Sequence, residues 1–133
     1  MPNVASGTSA PATVITTTAE TLAQNIPPSP LYLPGGSPQL VTIRVTVWVT
    51  TGTGVTAVQV KIRAGQNNTT TAQVGQTAQT VAIASTLMAF TEIFVDTLPA
   101  DLSASGYSVT VSQIGATGNG TVTAVVYEVA STP

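Results

Sequence analysis

The ionisable side chains of this chain are few, and they limit the chemistry that it can carry out. Its 133 residues include three Lys and Arg and five Asp and Glu, but no His and no Cys. The commonest general base and the thiolate nucleophile are therefore missing. Asp96 and Asp101 could offer oxygen ligands to Ca²⁺, and two carboxylates across a cleft could hydrolyse a glycoside, but no motif supports either arrangement. We predict no enzyme activity, no cofactor and no metal site.

The overall composition argues against binding to nucleic acid or membranes. The net charge is −2 and no basic run is present, so the chain has no electrostatic footprint for a phosphate backbone. No apolar run reaches the roughly 18 residues that a membrane helix needs. Charged residues make up only 6% of the chain, against about 25% in typical soluble domains. The Thr, Ser, Gln and Asn side chains that replace them suit a surface that neighbouring subunits cover.

The clearest strand pattern lies at residues 39–50, QLVTIRVTVWVT. Apolar and polar residues alternate over the whole segment, which is typical of a half-buried strand and cannot arise in a helix. The face predicted to be buried consists of Val41, Ile43, Val45, Val47 and Val49. The face predicted to point outward consists of Thr42, Arg44, Thr46, Trp48 and Thr50.

Shorter segments of the same kind predict the architecture. Further strands are expected at residues 12–18, 55–64, 79–86, 88–96, 107–114 and 121–129. This succession of short strands and turns indicates an all-β protein, a single jelly roll or β-sandwich of about seven or eight antiparallel strands. We expect one domain at residues 12–133, preceded by a flexible arm at residues 1–11. Residues 19–26 leave a short helix or extended chain open, and the Thr-rich context favours extended chain.

One turn sequence occurs twice, as TGTGVTAV at residues 51–58 and as TGNGTVTAV at residues 117–125. Glycine-rich turns between alternating segments are typical of hairpins, so each copy predicts two adjacent, paired strands. In the second hairpin, pairing Val111 with Val125 buries the face of the last strand that carries Tyr127. Both predicted hairpins bury one consistent face.

The first predicted hairpin brings all three cations together. Pairing its strands across the turn sets Arg44 opposite Lys61 and leaves Arg63 and Trp48 on the same outer face. Three alternatives remain open for this face. It could be solvated or lie beside acids of the same subunit. It could be an interface, with Trp48 as anchor and the cations facing carboxylates of another subunit. Trp48 could also be a platform for carbohydrate.

Two other segments are natural contact makers in an assembly. The N-terminal arm is small and polar, and the proline-rich loop at residues 27–38 carries Leu31 and Tyr32. Proline fixes φ and removes a backbone donor, so this loop cannot be a central strand. The candidate interface residues are therefore Arg44, Trp48, Lys61, Arg63, Leu31 and Tyr32.

The C-terminal run TLPADLSASGYSVTVSQIGATGNGTVTAVVYEVA resembles the closing hairpin of small β-sandwich virion proteins of bacteriophages. The shared features are a Leu-Pro connection, then Gly-Tyr-x-Val-x-Val, a Gly-rich turn and a Val/Thr strand. The central run TIRVTVWVTTGTGVTAVQVKIRAG resembles the same proteins, and together the two runs cover rather more than half of the chain. The resemblance implies a jelly-roll capsid decoration (cement) protein, often a homotrimer on the capsid exterior. It offers no catalytic motif to carry over.

These observations predict a structural virion protein that stabilises the shell by bridging neighbouring capsid subunits. Its expected partners are the major capsid protein and further copies of itself, with a trimer favoured. One alternative is a minor or major single-jelly-roll capsid subunit. Another is a receptor- or glycan-binding β-sandwich module.

Overall fold

Nine β-strands make up the described part of the computed structural model. It describes residues 3–9, 13–15, 20–28, 40–50, 57–67, 69, 79–82, 87–97, 105–114 and 120–132. The strands are β1 (Asn3–Ser9), β2 (Thr13–Ile15), β3 (Thr21–Ile26), β4 (Leu40–Thr50), β5 (Ala57–Ala64), β6 (Gln79–Ala82), β7 (Leu87–Asp96), β8 (Tyr107–Ile114) and β9 (Gly120–Thr132). Within these ranges, no helix has the length and apolarity that a membrane span requires.

The strands form two antiparallel sheets. Sheet A has the order β1-β9-β4-β7, with β2 also paired to β9, and sheet B has the order β3-β8-β5-β6. The pairs β2–β9, β3–β8, β4–β7 and β5–β6 are nested like one long hairpin that has been rolled up. The pairs β4–β9 and β5–β8 close the roll into two sheets. This pairing is the jelly-roll form of a β-sandwich, so the predicted fold class is confirmed.

The two predicted hairpins are wrong. β4 lies in sheet A and β5 in sheet B, and β8 and β9 are divided between the sheets in the same way. The strand ends that flank the two repeated segments lie at one end of the sandwich, because Thr50 pairs with Thr121 and Ala57 pairs with Ile114. Each repeated segment therefore stands between strands of different sheets, and sheets pack about 10 Å apart in sandwiches. The predicted opposition of Arg44 and Lys61 is lost with the first hairpin.

The buried faces, by contrast, are confirmed. Alternation fixes which side of a strand faces the core, whatever its neighbour is. The inner faces of both sheets form one apolar cluster that is dominated by valine. Its members include Val41, Ile43, Val45, Val47, Val49, Val58, Val60, Ile62, Tyr107, Val109, Val111, Val125, Tyr127 and Val129.

Two buried hydrogen bonds join the sheets across this core. The Tyr107 hydroxyl of β8 donates to Asp96 Oδ2 of β7 at 2.7 Å, and both residues are buried. The Gly120 amide of β9 donates to Gln113 Oε1 of β8 at 2.7 Å, beside one of the repeated turns. Asp96 thus has an internal structural partner, while Asp101 lies outside the described residues. Asp96 therefore links the two sheets.

The ambiguous segment at residues 19–26 is extended. Thr21–Ile26 forms β3, and its register against β8 shifts between Leu22 and Gln24. Ile26 is fully buried, and its backbone lies close to Gly106, the residue that precedes β8. Gly106 has φ +69°, and a Cβ there would collide with the Ile26 carbonyl oxygen, so this position requires glycine.

Part of the segment expected to be an arm is an edge strand. β1 pairs antiparallel with β9, and Gly7 lies opposite Tyr127. A Cβ on Gly7 would lie 2.6 Å from the Tyr127 ring, so a larger residue there would require the phenol to shift. Attachment of this segment to a neighbouring subunit stays a prediction.

Val45→Asp should abolish folding. Val45 is fully buried between the sheets, and an unpaired carboxylate there costs several kcal/mol. That cost is comparable with the whole free energy of unfolding of a small domain, roughly 5–15 kcal/mol. Thr50→Asp, at the exposed end of the same strand, is the matched control and should fold. Circular dichroism and thermal unfolding of the soluble fraction test this, and a cooperative, wild-type transition for Val45→Asp would show that the core assignment is wrong.

Candidate functional site

The three cations are divided between the two outer faces of the sandwich. Arg44 and Trp48 lie on the outer face of sheet A, whereas Lys61 and Arg63 lie on that of sheet B. The predicted common surface of all three cations is therefore wrong. Leu31 and Tyr32 lie outside the described residues.

On sheet B, a single carboxylate holds both cations. Glu20 precedes β3, and its Oε1 accepts hydrogen bonds from Lys61 Nζ at 2.7 Å and Arg63 Nη2 at 2.6 Å. Its Oε2 accepts from Arg63 Nε at 2.8 Å and Thr110 Oγ1 at 2.9 Å. The pairing of Arg63 is bidentate, which is the strongest geometry for a guanidinium and a carboxylate. We name this group, Glu20, Lys61, Arg63 and Thr110, the Glu20 cluster.

The Glu20 cluster is largely removed from water. The side chains of Glu20, Lys61 and Arg63 are 13%, 20% and 12% exposed. The hydrogen bonds from Arg63, followed by those from Lys61 and Thr110, lower the pKa of Glu20 to about 2 despite its burial. The Glu20 carboxylate in turn raises the pKa of Arg63. These two cations therefore match the alternative in which acids of the same subunit lie beside them.

Sequence reasoning missed the role of Glu20. The residue lies in the segment whose secondary structure was ambiguous, and its partners are 41 to 90 positions away. One signal was available. Two cations on the outer side of one strand repel each other unless an acid lies between them. The rolled topology supplies that acid because β3 and β5 both pair with β8, on either side of Thr110.

The outer face of sheet A carries a different kind of ion pair. Arg44 lies directly opposite Glu128, and their charged atoms are 3.8 Å apart with both side chains more than half exposed. Such a pair stabilises a fold by about 0–1 kcal/mol. Arg44 and Glu128 line a cavity of about 110 Å³ together with Thr46 and Val126.

Trp48 lies on the same face, half-buried, two residues beyond Thr46. Its neighbours on the adjacent strands are both small, Ala89 on β7 and Ala124 on β9. Ile93 of β7 lies beside Arg44 and is 52% exposed, one of the exposed large hydrophobic residues. The outer face of sheet A is thus a broad, weakly charged surface with one tryptophan.

The described residues bring together no group of three or more His, Cys, Asp or Glu side chains that could hold a metal ion. On sheet B, the carboxylate of the Glu20 cluster already accepts hydrogen bonds from two cations and a hydroxyl. Both outer faces offer shape, hydrogen-bonding groups and apolar area. The outer face of sheet A also carries Trp48 and the exposed Ile93, so it is the better candidate for binding a macromolecule.

Comparison with known proteins gave a likeness at the level of structure. No protein-family model and no curated protein sequence matches the chain. Among solved structures, the chain is similar to PRD1 vertex protein P5, with a TM-score of 0.46 and 13% sequence identity. That alignment covers 96% of this chain and 71% of the other.

Glu20→Gln should remove most of the acid sensitivity of folding between pH 4.5 and 2. The pKa of Glu20 is lowered in the folded protein, so its contribution is fully present above the ordinary value of 4.5 and is lost as pH falls towards about 2. This contribution is about 3 kcal/mol. The variant also leaves Lys61 and Arg63 without their carboxylate, so it should be less stable at pH 7 by a similar amount.

Urea unfolding at pH 7, 4.5 and 2.5 measures both effects. Glu128→Gln is the matched control, because it removes an exposed carboxylate from the loose pair with Arg44. Its free energy of unfolding at pH 7 should stay within about 1 kcal/mol of the wild type. An acid slope for Glu20→Gln equal to that of the wild type would contradict the role of the Glu20 cluster.

Proposed function

We propose that the protein is a structural virion protein of a bacteriophage, a capsid decoration (cement) protein. In this proposal it binds the major capsid protein on the capsid exterior as a homo-oligomer. It stabilises the shell by bridging neighbouring capsid subunits and carries out no chemical reaction. The observation that carries the proposal is the outer face of sheet A, and the resemblance of the two strand-rich runs to phage virion proteins supports it.

The properties of this face suit a permanent protein–protein contact. Interface cores are depleted in charge and enriched in aromatic residues, and Trp is a frequent energetic anchor. Here Trp48 is flanked by alanines, and Ile93 adds apolar area. The threonines between them can hydrogen bond to a partner without the desolvation cost of a charge.

The separation of the two faces supports the same proposal. Lys61 and Arg63 are held by Glu20 on sheet B, so they lie on the opposite outer face from Trp48. Arg44 and Glu128 neutralise each other on sheet A. A neutral surface of this kind gains free energy by burial and gives up little hydration of ions.

A shell-stability experiment tests the proposal. Virions with the protein bound, and virions stripped of it, are heated while release of the packaged genome is followed with a DNA-binding dye. We expect stripped shells to open at a lower temperature and recover when purified protein is added back. Trp48→Ala should restore less stability than the wild type at equal concentration. Thr42→Ala, a small change on the same outer face, is the matched control and should restore it fully.

The other two candidate functions give different results in the same experiment. A minor or major capsid subunit could not be stripped without loss of the shell itself. A glycan-binding module would bind a sugar array through Trp48, with binding lost in Trp48→Ala and shell stability unaffected. Equal opening temperatures with and without the protein would contradict the cement function.

A further inference from the structure

The four outer edges of the two sheets differ in how well they are protected. An edge strand exposes a row of unpaired backbone groups, and proteins shield such edges with bulges, short strands or charges. The β1–β9 and β3–β8 pairs each contain a register shift. β6 is only four residues long. These three edges therefore carry features that discourage pairing with another chain.

The fourth edge, β7, is neither short nor bulged, and its two charged residues are Glu92 and the buried Asp96. β7 is ten residues long and pairs with β4 without a register shift. Among the described residues, β4 is its one strand partner, and no described strand pairs with its other side. Its sequence, LMAFTEIFVD, has no Pro, Gly, Lys or Arg. Its outer face exposes Ala89, Thr91 and Ile93.

We propose that β7 pairs antiparallel with β7 of a second copy of this chain about a two-fold axis. This inference goes beyond the proposed function, because the pairing does not require attachment to a shell. An isologous contact needs a self-complementary surface, in which residue i meets residue j and j meets i. A straight antiparallel edge meets that condition for its backbone, and the side chains then select the register.

Overlap and charge together select one register. With both outer faces on the same side of the joined sheet, the two-fold axis must lie midway between the two copies of one β7 residue. The number of paired residues is greatest when that residue is Thr91 or Glu92. Centring on Glu92 sets the two carboxylates directly opposite each other, which is destabilising. Centring on Thr91 pairs every residue from Leu87 to Val95 and sets Ile93 opposite Ala89 twice. The second copy then covers the exposed Ile93.

Joining two copies in this way doubles the candidate interface. Sheet A of one copy continues into sheet A of the other, so their outer faces form one surface. That surface carries Trp48 and Arg44 of both copies on the same side. A dimer of this kind presents two equivalent contacts to its surroundings, which is the geometry that bridging of neighbours requires. It differs from the trimer that the resemblance implies, so stoichiometry distinguishes them.

Sedimentation of purified protein with a matched pair of variants tests the edge. We expect the wild type to be a dimer at tens of micromolar. Ile93→Lys replaces the apolar side chain that lies beside Ala89 of the other copy, twice in each dimer, and should weaken dimerisation roughly tenfold or more, with an unchanged circular dichroism spectrum. Ile114→Lys is the control, because Ile114 is similarly exposed at 46% but lies at the end of β8, and it should dimerise normally. A wild-type monomer or trimer, or equal dimerisation of both variants, would overturn the proposal.

A cysteine at the axis gives an independent readout of register. The chain has no Cys, so Thr91→Cys introduces a single thiol that should face its own copy across the axis. Directly opposite residues of antiparallel strands have Cα atoms about 4.5–5.5 Å apart, which permits a disulfide. Mild oxidation should convert most Thr91→Cys protein to a covalent dimer. Thr123→Cys, exposed on the inner strand β9, should not cross-link above background. Equal cross-linking of the two variants would rule out pairing at Thr91.

Discussion

Each sheet has one valine-rich face that can leave water only against the other sheet, and the rest of the structure depends on this mutual burial. Apolar burial contributes roughly 25 cal/mol per Å², and the core contains few residues larger than valine or isoleucine. Small β-branched side chains let the sheets approach closely but provide no directional contact. The buried bonds of Tyr107 to Asp96 and of Gly120 to Gln113 provide that direction, because each spans the two sheets.

The charges are distributed in a way that follows from this packing. The Glu20 cluster is nearly buried and bidentate, and it fastens the start of β3 to β5 and β8. The Arg44–Glu128 pair is long and exposed, so it stabilises the fold much less than the Glu20 cluster does. The charges on the outer face of sheet B therefore stabilise the fold, whereas the outer face of sheet A carries one balanced pair of charges. A chain with only eight charged side chains has little else with which to distinguish its two sides.

Much of the fold, but less of the candidate site, could be predicted from the sequence. Alternation identified the buried faces of β4, β5, β8 and β9, because the side-chain period of a strand depends only on local geometry. Which strands pair with each other depends on the topology of the whole chain. A Thr-Gly-x-Gly segment can join two strands of one sheet or two strands of different sheets. The same limitation hid Glu20, whose partners lie on strands that meet it only in the rolled form. Trp48 and Arg44 were placed correctly on an outer face, whereas the separation of Arg44 from Lys61 required the topology.

The position of β9 in sheet A has a consequence for biosynthesis. β9 follows the other described strands in the sequence, so it leaves the ribosome after them, yet it pairs with β1, β2 and β4. Before β9 is synthesised, β4 can pair with β7 along one edge but has no partner along its other edge. Such long-range pairing is slow and exposes apolar strands during synthesis. The nascent chain should therefore depend on chaperones until translation of β9 is complete, and truncations within β9 should aggregate even though most of the core residues are already present.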